Sequence, residues 1–447
     1  MEKIVTEEQQ TAAVEALKRM ISKKSVYNES TKSDTAPFGA GIDAALTEVL
    51  KIADELGFKT FKSPTGHYGY AEIGEGDQIF GIIGHVDVVP EGDANDWDHD
   101  PFDGYVKDGA IYGRGSQDDK GPTIATMFAV KSLIDAGYKF TKKIRFIFGT
   151  DEENLWRGIA VYNEKESPID MGIAPDAEFP LIYAEKGLEQ AYLVGAGMDD
   201  LNIDLKNAFN AVPAKAEYNG PKLAEVKAAL DKHGFNYEDN GDNGIVVTGK
   251  SVHAMLAPNG TNAVLRLAIA LNDVFSSPTL DFIGKLFKED ATGTNVLGDV
   301  KDDQSGHLTF NISSLTINKN ESRMQIDMRI PVTVDRDDLI KQLDDKVQKF
   351  GLHYEPFDYL APLYVPTDSE LVKTLMNVYK DMTGDDTQPQ ISGGATYART
   401  MNQCVAFGAM LPDVPDFMHQ VNENWPLKSM FKAMDIYAEA IKQLCTK

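Results

Sequence analysis

The feature that most limits how this chain can fold is a repeated pattern in its amino-terminal part. A largely apolar run of strand length is followed at once by acidic residues or a histidine. The run at 78–83 leads into His85 and Asp87, the run at 143–149 into Glu152 and Glu153, and the run at 171–174 into Asp176. Helical patterns alternate with these runs, which predicts a mainly parallel sheet. Ligands bind beyond the carboxyl ends of strands in such sheets, although an ordinary polar turn is the alternative for each strand end taken alone.

The pattern of apolar and polar residues changes near residue 187, and this change predicts a second domain inserted into the first. From there to about residue 362, alternating strands and helical patterns are typical of an α+β domain. We therefore expect an α/β domain over 1–186 and 363–447, with a mixed, mainly parallel sheet flanked by helices. The inserted α+β domain would span 187–362. A chain of 447 residues is long enough for two such cores.

Composition argues against several classes of partner. The net charge is −25 and the isoelectric point lies near 4.7, whereas nucleic acids and anionic membranes attract basic patches. No run approaches the ~20 apolar residues of a membrane span, and the amino terminus lacks an apolar signal region. We expect a cytoplasmic protein with neither a nucleic-acid nor a membrane partner. The two cysteines, Cys404 and Cys445, predict neither a disulfide framework nor a cysteine-based metal site.

A metal site in this chain would have to be built from histidine, aspartate and glutamate. Three of the eight histidines have unusual neighbours: His85 precedes Val-Asp, His253 precedes an alanine and a Pro/Asn/Gly turn, and His419 precedes Gln-Val-Asn-Glu. The other five are interpreted as surface or structural residues. Asp118 lies in a glycine-flanked turn, where the backbone can approach a metal closely. Its neighbour Asp119 is interpreted as a solvated turn residue.

The remaining candidate ligands follow strands. Glu152 and Glu153 are adjacent, so their side chains point in different directions, and one could bind metal while the other faces a substrate. Asp176 follows Pro175 at the third strand end. An exposed acidic loop is the alternative for each. Taken together, a histidine, three carboxylates and a last histidine form a hard set of nitrogen and oxygen ligands for two divalent ions, and zinc, manganese and cobalt all fit it.

The order and spacing of these motifs resemble the two-metal peptidase family that includes acetylornithine deacetylase, succinyl-diaminopimelate desuccinylase, aminoacylase, carboxypeptidase G and carnosinase. The resemblance covers nearly the whole chain. The segments that carry it are 84–90, 113–121, 151–153, 175–176, 249–253, 260–263 and 419–420. Within the family, Trp97, the segment 393–399 and the large insert are similar to those of bacterial PepV-type dipeptidases, also called Xaa-His dipeptidases.

The resemblance implies a role for each candidate. Asp118 would bridge two metal ions, with His85 and Asp176 completing one site and Glu153 and His419 the other. Glu152 would be the general base on a water shared by the two metals, and Asp87 would orient His85. This chemistry is coherent, because paired cations lower the pKa of a shared water toward ~7 and polarise the scissile carbonyl. A carboxylate that binds no metal can then pass the proton to the leaving amine.

The resemblance also assigns the domains and the substrate contacts. It makes 1–186 and 363–447 the catalytic domain and 187–362 a lid. His253 would donate to the carbonyl oxyanion. Arg329 and Arg399 are candidates for holding a substrate carboxylate, which guanidinium binds in bidentate fashion, although a structural ion pair is the alternative for each. The large insert favours a monomer.

The leading interpretation is a metal-dependent dipeptidase that cleaves short peptides with a free amino terminus and uses two divalent ions, zinc first. One alternative is a deacylase of the same family that acts on an N-acyl amino acid or succinyl-diaminopimelate. Another is a non-catalytic relative that only binds peptide or metal, against which Asp87 and Glu152 argue. A nucleotide-dependent oxidoreductase is disfavoured, because 113–115 lacks the third glycine and is expected to follow no strand-to-helix turn.

Overall fold

The computed structural model describes residues 3–447, which divide into two compact units. The first unit runs to Tyr183 and resumes over Leu363–Ile391 and Thr396–Lys447. The second unit comprises Ala184–Pro362 and Ser392–Ala395. Across the described part of the chain, no helix has the combination of length and apolar character that a membrane crossing needs.

The helices and strands are numbered along the chain. The α-helices are α1 (Glu7–Ile21), α2 (Ala40–Glu55), α3 (Lys120–Asp135), α4 (Arg157–Lys165), α5 (Leu223–His233), α6 (Ala263–Val274), α7 (Pro278–Asp281), α8 (Thr294–Leu297), α9 (Arg336–Val347), α10 (Glu370–Thr383) and α11 (Leu427–Cys445). The strands up to the middle of the chain are β1 (Lys59–Lys62), β2 (Gly69–Ile73), β3 (Ile79–His85), β4 (Tyr105–Lys107), β5 (Ala110–Tyr112), β6 (Lys143–Gly149), β7 (Met171–Ala174), β8 (Ala177–Glu178), β9 (Ile182–Glu185), β10 (Gly187–Ala196), β11 (Ile203–Leu205) and β12 (Lys215–Tyr218). The remaining strands are β13 (Tyr237–Asp239), β14 (Ile245–Thr248), β15 (Lys301–Asp302), β16 (Gly306–His307), β17 (Thr309–Ile317), β18 (Glu321–Ile330), β19 (Leu352–Leu360), β20 (Leu363–Tyr364), β21 (Gln390–Ser392), β22 (Cys404–Ala406), β23 (Ala409–Met410) and β24 (Asn424–Pro426).

The main sheet of the first unit is mixed, and its centre is parallel. Its strands lie in the order β1-β2-β6-β3-β7-β22-β9-β20, and β21 pairs with β9. The pairs β6–β3, β3–β7 and β7–β22 are parallel, while β1 and β2 add an antiparallel edge. Every residue of β3 is buried, as expected for a central strand covered on both faces. The predicted α/β class with a mainly parallel sheet is confirmed.

The register of this sheet brings three strand ends to one edge. His85 on β3 lies opposite Gly149 on β6, and Ile82 on β3 lies opposite Ile173 on β7. The chain therefore leaves β3, β6 and β7 at the same edge. The polar residues that follow these strands in the sequence emerge next to one another for this reason.

Helix α3 fixes a further part of this edge. It is buried on nearly every side and packs against α11 and α1. A helix that is apolar around most of its circumference belongs inside a domain rather than on its surface. Its amino-terminal end directly follows Asp118 and Asp119, so the packing of α3 determines where these two carboxylates lie.

The second unit has an architecture and a hydrophobic core of its own. Its larger sheet is antiparallel, with strand order β11-β17-β18-β10-β19, and β12-β14-β13 form a smaller antiparallel sheet. Apolar residues of both sheets and of α5, α6 and α9 make up the core. The unit is therefore of α+β type, with antiparallel sheets and helices that share one core.

Candidate metal centre

Five residues that are far apart in the sequence converge in the first unit as two overlapping groups of possible metal ligands. One group is His85, Asp118 and Asp176, and the other is Asp118, Glu153 and His419. Within each group the ligand atoms lie within 4.8 Å of one another. Asp118 belongs to both groups, which is the arrangement expected of a ligand shared by two ions.

His85 is fully buried at the end of β3, and its ring is oriented by the backbone. Its Nδ1 lies 2.9 Å from the carbonyl oxygen of Asp87. A carbonyl can only accept, so Nδ1 carries a proton, and Nε2 is the nitrogen that could ligate a metal. Nε2 lies 3.0 Å from Asp118 Oδ1 and 3.7 Å from Asp176 Oδ2. The ring thus directs its ligating nitrogen into the first group.

The Asp118 carboxylate points one oxygen into each group. Its Oδ1 faces His85, while its Oδ2 lies 2.9 Å from Nε2 of His419. The same His419 nitrogen lies 3.2 Å from Glu153 Oε2. The other Glu153 oxygen, Oε1, is buried and has no hydrogen-bond partner among the described residues. A buried carboxylate oxygen without a partner is costly unless a cation satisfies it.

The pKa values in the cluster show that it attracts positive charge. Burial opposes ionisation of Asp118, yet hydrogen bonds to His419 and His85 hold its pKa below the ordinary value. Hydrogen bonds to Asp118 and Glu153 raise the pKa of His419 to about 11. Burial raises the pKa of Glu152 and of Glu153, and neighbouring carboxylates add to the rise. Divalent cations would offset this concentration of negative charge.

Asp87 contacts both the His85 ring and the turn that follows β6. The resemblance implies that it orients His85, and its backbone carbonyl does accept from that ring. Its fully buried carboxylate lies 3.5 Å from the same ring nitrogen, His85 Nδ1. The carboxylate also accepts the backbone N–H groups of Glu152, at 3.2 Å, and Glu153, at 3.1 Å. Asp87 therefore fixes the turn that carries these two glutamates.

Asp119 is not a solvated turn residue, and the interpretation from the sequence is wrong on this point. Its side chain is completely buried, and its Oδ2 accepts from the backbone N–H of His85 and the hydroxyl of Thr123, each at 3.0 Å. The contact requires glycine at position 84, because a Cβ there would lie 2.4 Å from the same oxygen. Asp119 ties the start of α3 to the end of β3 and so helps to position Asp118.

Glu152 lies beside the two ligand groups without belonging to either of them. Its backbone is held on both sides, since its N–H donates to Asp87 and its carbonyl accepts from the Trp156 indole at 2.8 Å. Burial raises the pKa of its carboxyl, and the charges of His85 and Asp176 also affect that pKa. A carboxyl in this position is available for proton transfer.

Of the three residues expected to contact substrate, two lie in the second unit. His253 Nδ1 accepts the backbone N–H of Met255 at 3.2 Å, so in the neutral ring Nε2 carries the proton and can donate. Burial lowers the pKa of His253, followed in importance by the nearby Arg329, and this keeps the ring neutral. Arg329 pairs with Asp327 through Nε at 2.8 Å and also donates to the Gly393 carbonyl. Its charge is therefore offset in the second unit.

Arg399 lies in the first unit, half-buried on a short 3-10 helix over Tyr397–Thr400. Arg399 and Arg329, the two candidates for the substrate carboxylate, thus belong to different units.

The segment 113–118 lies between β5 and α3, contrary to the expectation that it follows no strand-to-helix turn. The strand β5 belongs to a small antiparallel sheet with β4 and β24, so the parallel β-α arrangement of a dinucleotide site is still absent here. Two buried residues that the sequence did not single out, Gln117 and Glu423, hold this segment. The only signal for Glu423 was its place four residues after His419.

The cluster fits a pair of divalent ions by its chemistry. It combines imidazole nitrogens with carboxylate oxygens, a donor set suited to zinc, manganese or cobalt. One carboxylate is shared between the groups, and a buried Glu153 oxygen has no partner among residues 3–447.

Comparison with known proteins points in the same direction. The model of "Peptidase family M20/M25/M40" matches residues 81–443. The "Putative dipeptidase YtjP" of Bacillus subtilis (strain 168) is 36% identical over 446 residues, with 94% of each chain covered.

Two solved structures are similar in fold. The dipeptidase Dug1p from Saccharomyces cerevisiae has a TM-score of 0.61 at 15% identity, covering 98% of this chain and 96% of that one. The Bacillus subtilis YXEP protein, described as a dinuclear metal-binding peptidase, has a TM-score of 0.52 at 9% identity, covering 98% and 99%. At these identities the likeness concerns the fold alone.

Proposed function

The chain belongs to peptidase family M20/M25/M40, and from that premise we propose that it is a dipeptidase that depends on two divalent metal ions. The proposed substrates are short peptides with a free amino terminus. The observation that carries the proposal is the position of Asp118, which points one carboxylate oxygen to each of two ligand groups. The names of the dipeptidase relative and of the dinuclear metal-binding peptidase support it.

In this proposal, two groups of residues that share Asp118 each bind one metal ion. His85, Asp118 and Asp176 hold one ion, and Asp118, Glu153 and His419 hold the other. Zinc is the first choice, with manganese and cobalt as alternatives. When bound, the ion pair supplies a lowered pKa for the attacking water and polarisation of the scissile carbonyl.

Glu152 is the proposed general base. It takes the proton of the attacking water and returns it to the nitrogen of the leaving amino acid, which needs a carboxylate that is not bound to metal. Asp87 and Trp156 hold the backbone of Glu152 from both sides, which fixes the direction of its side chain. Arg329 and Arg399 remain the proposed partners of the substrate carboxylate.

His253 is the proposed donor to the carbonyl oxygen as it gains negative charge. Its Nδ1 accepts a backbone N–H, which leaves Nε2–H free to donate. We expect His253→Ala to lower kcat by about 10²- to 10³-fold with little change in KM, because an oxyanion donor acts mainly in the transition state. Steady-state kinetics on a dipeptide measure both constants. His233→Ala, another histidine of the second unit, is the control and should leave both constants unchanged; an unchanged kcat in His253→Ala would rule out the oxyanion role.

The proposal is tested on protein that has been stripped of metal and reconstituted with Zn²⁺, Mn²⁺ or Co²⁺. Dipeptides, β-alanyl peptides, N-acyl amino acids and succinyl-diaminopimelate form the substrate panel. We expect hydrolysis of dipeptides only after reconstitution, and loss of turnover when the substrate amino group is acetylated. Faster turnover of the N-acyl compounds would replace the dipeptidase proposal with a deacylase. Full activity of the stripped protein would refute the metal requirement.

A further inference from the structure

Two buried side chains join the segment that carries Asp118 to the loop that carries His419. Gln117 and Glu423, which we call the clasp, are both completely buried in the first unit. Gln117 directly precedes Asp118, while Glu423 follows His419 by four residues. Each member of the clasp therefore belongs to one of the two segments and bonds to the other.

His419 is a candidate ligand whose position is not set directly by a strand of the main sheet. The loop that carries it joins β23 to β24, and its side chain is 56% exposed. Its backbone has a φ of 61°, a conformation that non-glycine residues seldom adopt. His85 instead ends the buried strand β3, and Glu153 and Asp176 follow β6 and β7 of the same sheet. The position of His419 must therefore be fixed by contacts of its own loop.

Gln117 supplies such contacts on both sides of His419. Its amide Nε2 donates to the carbonyl of Pro415 at 3.1 Å and to that of Asn424 at 2.7 Å. Its Oε1 accepts the backbone N–H of Phe417 at 3.0 Å. Both amide hydrogens and the amide oxygen are thus engaged with one loop. Only an amide side chain of this length offers two donors and an acceptor at once.

Glu423 forms the reciprocal half of the clasp. Its carboxylate accepts backbone N–H groups from Gly115 at 3.1 Å, Gln117 at 2.8 Å and Asp118 at 3.3 Å. The buried guanidinium of Arg114 donates to it at 2.7 Å. These bonds fix the segment that carries Asp118, and they do not depend on the side chain of Gln117.

We propose that the Gln117 side chain is a positioning residue that holds His419 in place for ligation and so sets the affinity of the Asp118–Glu153–His419 group for its ion. This inference rests on the proposed function, because it requires that the group binds metal. His419 takes part in this group and not in the group of His85 and Asp176. Loss of the Gln117 amide therefore affects one ion selectively.

The test is a titration of metal-free Gln117→Met with Zn²⁺ in competition with a fluorescent chelator. Methionine approximates the shape of glutamine but cannot form the three hydrogen bonds. We expect one of two Zn²⁺ equivalents to bind about 10- to 100-fold more weakly, as is typical when the support of a ligand is removed, while the other changes little. Both equivalents binding as in the wild type, or both weakening alike, would overturn the inference.

The matched control is Glu72→Gln, which weakens a partly buried ion pair in the same unit. Arg145 donates to Glu72 at 2.8 Å near the start of β6, away from the carboxyl end that leads to Glu153. Thermal stability of the metal-free control should fall, with both Zn²⁺ affinities retained. Wild-type protein that binds fewer than two Zn²⁺ equivalents would refute the proposed function itself, and this separates the two failures.

If Gln117→Met does not fold, Gln117→Ala takes its place, and one measurement needs no variant. Hydrogen exchange of the metal-free wild type reports whether the N–H of Phe417 is protected, since it donates to Gln117. Exchange at the rate of a free amide would show that the clasp does not hold the loop, and would overturn the inference. Protection in the absence of Zn²⁺ would support it.

Discussion

Replacement of Glu152 by glutamine is expected to lower kcat for dipeptide hydrolysis by about 10²- to 10⁴-fold, the usual contribution of a general base, while both ions stay bound. Glutamine has nearly the same shape but cannot accept a proton. Neither group of proposed ligands includes Glu152, so the substitution removes no proposed ligand. The bonds from Asp87 and Trp156 involve its backbone, and the substitution leaves them in place.

Steady-state kinetics measure the expected fall in kcat, and the metal content of the same protein sample shows whether both ions are retained. Glu153→Gln is the matched comparison, because the neighbouring carboxylate has the opposite assignment. We expect that variant to lose affinity for one ion, since Glu153 Oε2 lies with His419 and Asp118 in one ligand group. Near wild-type kcat in Glu152→Gln would refute the base assignment. Loss of metal from Glu152→Gln would instead make that residue a ligand.

The sequence predicted the strand-end part of the site because simple rules govern it. Buried strands appear as apolar runs, and strands of one parallel sheet end at one edge. Once the runs before His85, Glu152 and Asp176 are assigned to one sheet, their proximity follows. The register of β3 with β6 and β7 brings these ends together, and the predicted α/β class is confirmed.

The two adjacent aspartates show where sequence patterns fail. Asp118 and Asp119 have the same chemistry, and nothing in their local sequence separates a candidate ligand from a buried aspartate that only holds the backbone. Tertiary packing makes the distinction: the absence of a side chain at Gly84 leaves room for Asp119 to reach the backbone of His85. The expectation that Asp119 is solvated was wrong. Hydrophobic periodicity indicates burial in helices and strands, but it gives no indication of whether a polar residue in a turn is buried.

The contacts of the clasp, and those of the Asp87 carboxylate with the backbone of Glu152 and Glu153, could not be predicted for a related reason. Each forms hydrogen bonds to backbone groups of a segment that is distant in sequence, such as Glu423 with the N–H of Gln117. Backbone donors are the same for every residue type except proline, so the sequence does not record which side chain they meet. Such hydrogen-bond partners can be identified only from the three-dimensional structure, in which the two loops lie next to each other.

Replacement of Asp118 by asparagine is expected to weaken the binding of both ions and to reduce dipeptide hydrolysis to background. Asparagine keeps the shape but offers one neutral oxygen in place of two charged ones. In the wild type, Oδ1 faces His85 and Oδ2 faces His419, so neither group keeps its full set of oxygens. Loss of a supporting residue already costs about 10- to 100-fold in metal affinity, and a shared ligand should cost at least as much for each ion.

Zn²⁺ titration and metal content check this expectation, and Asp119→Asn is the closest possible control. Asp119 is adjacent, fully buried and hydrogen-bonded to the backbone of His85, so its replacement should lower thermal stability more than metal affinity. The opposite result, with metal lost from Asp119→Asn and retained by Asp118→Asn, would exchange the two assignments. Loss of a single ion from Asp118→Asn would show that the carboxylate is not shared. His85 and His419 are 334 positions apart in the sequence. They can belong to one reaction centre only if Asp118 is shared between their two ligand groups.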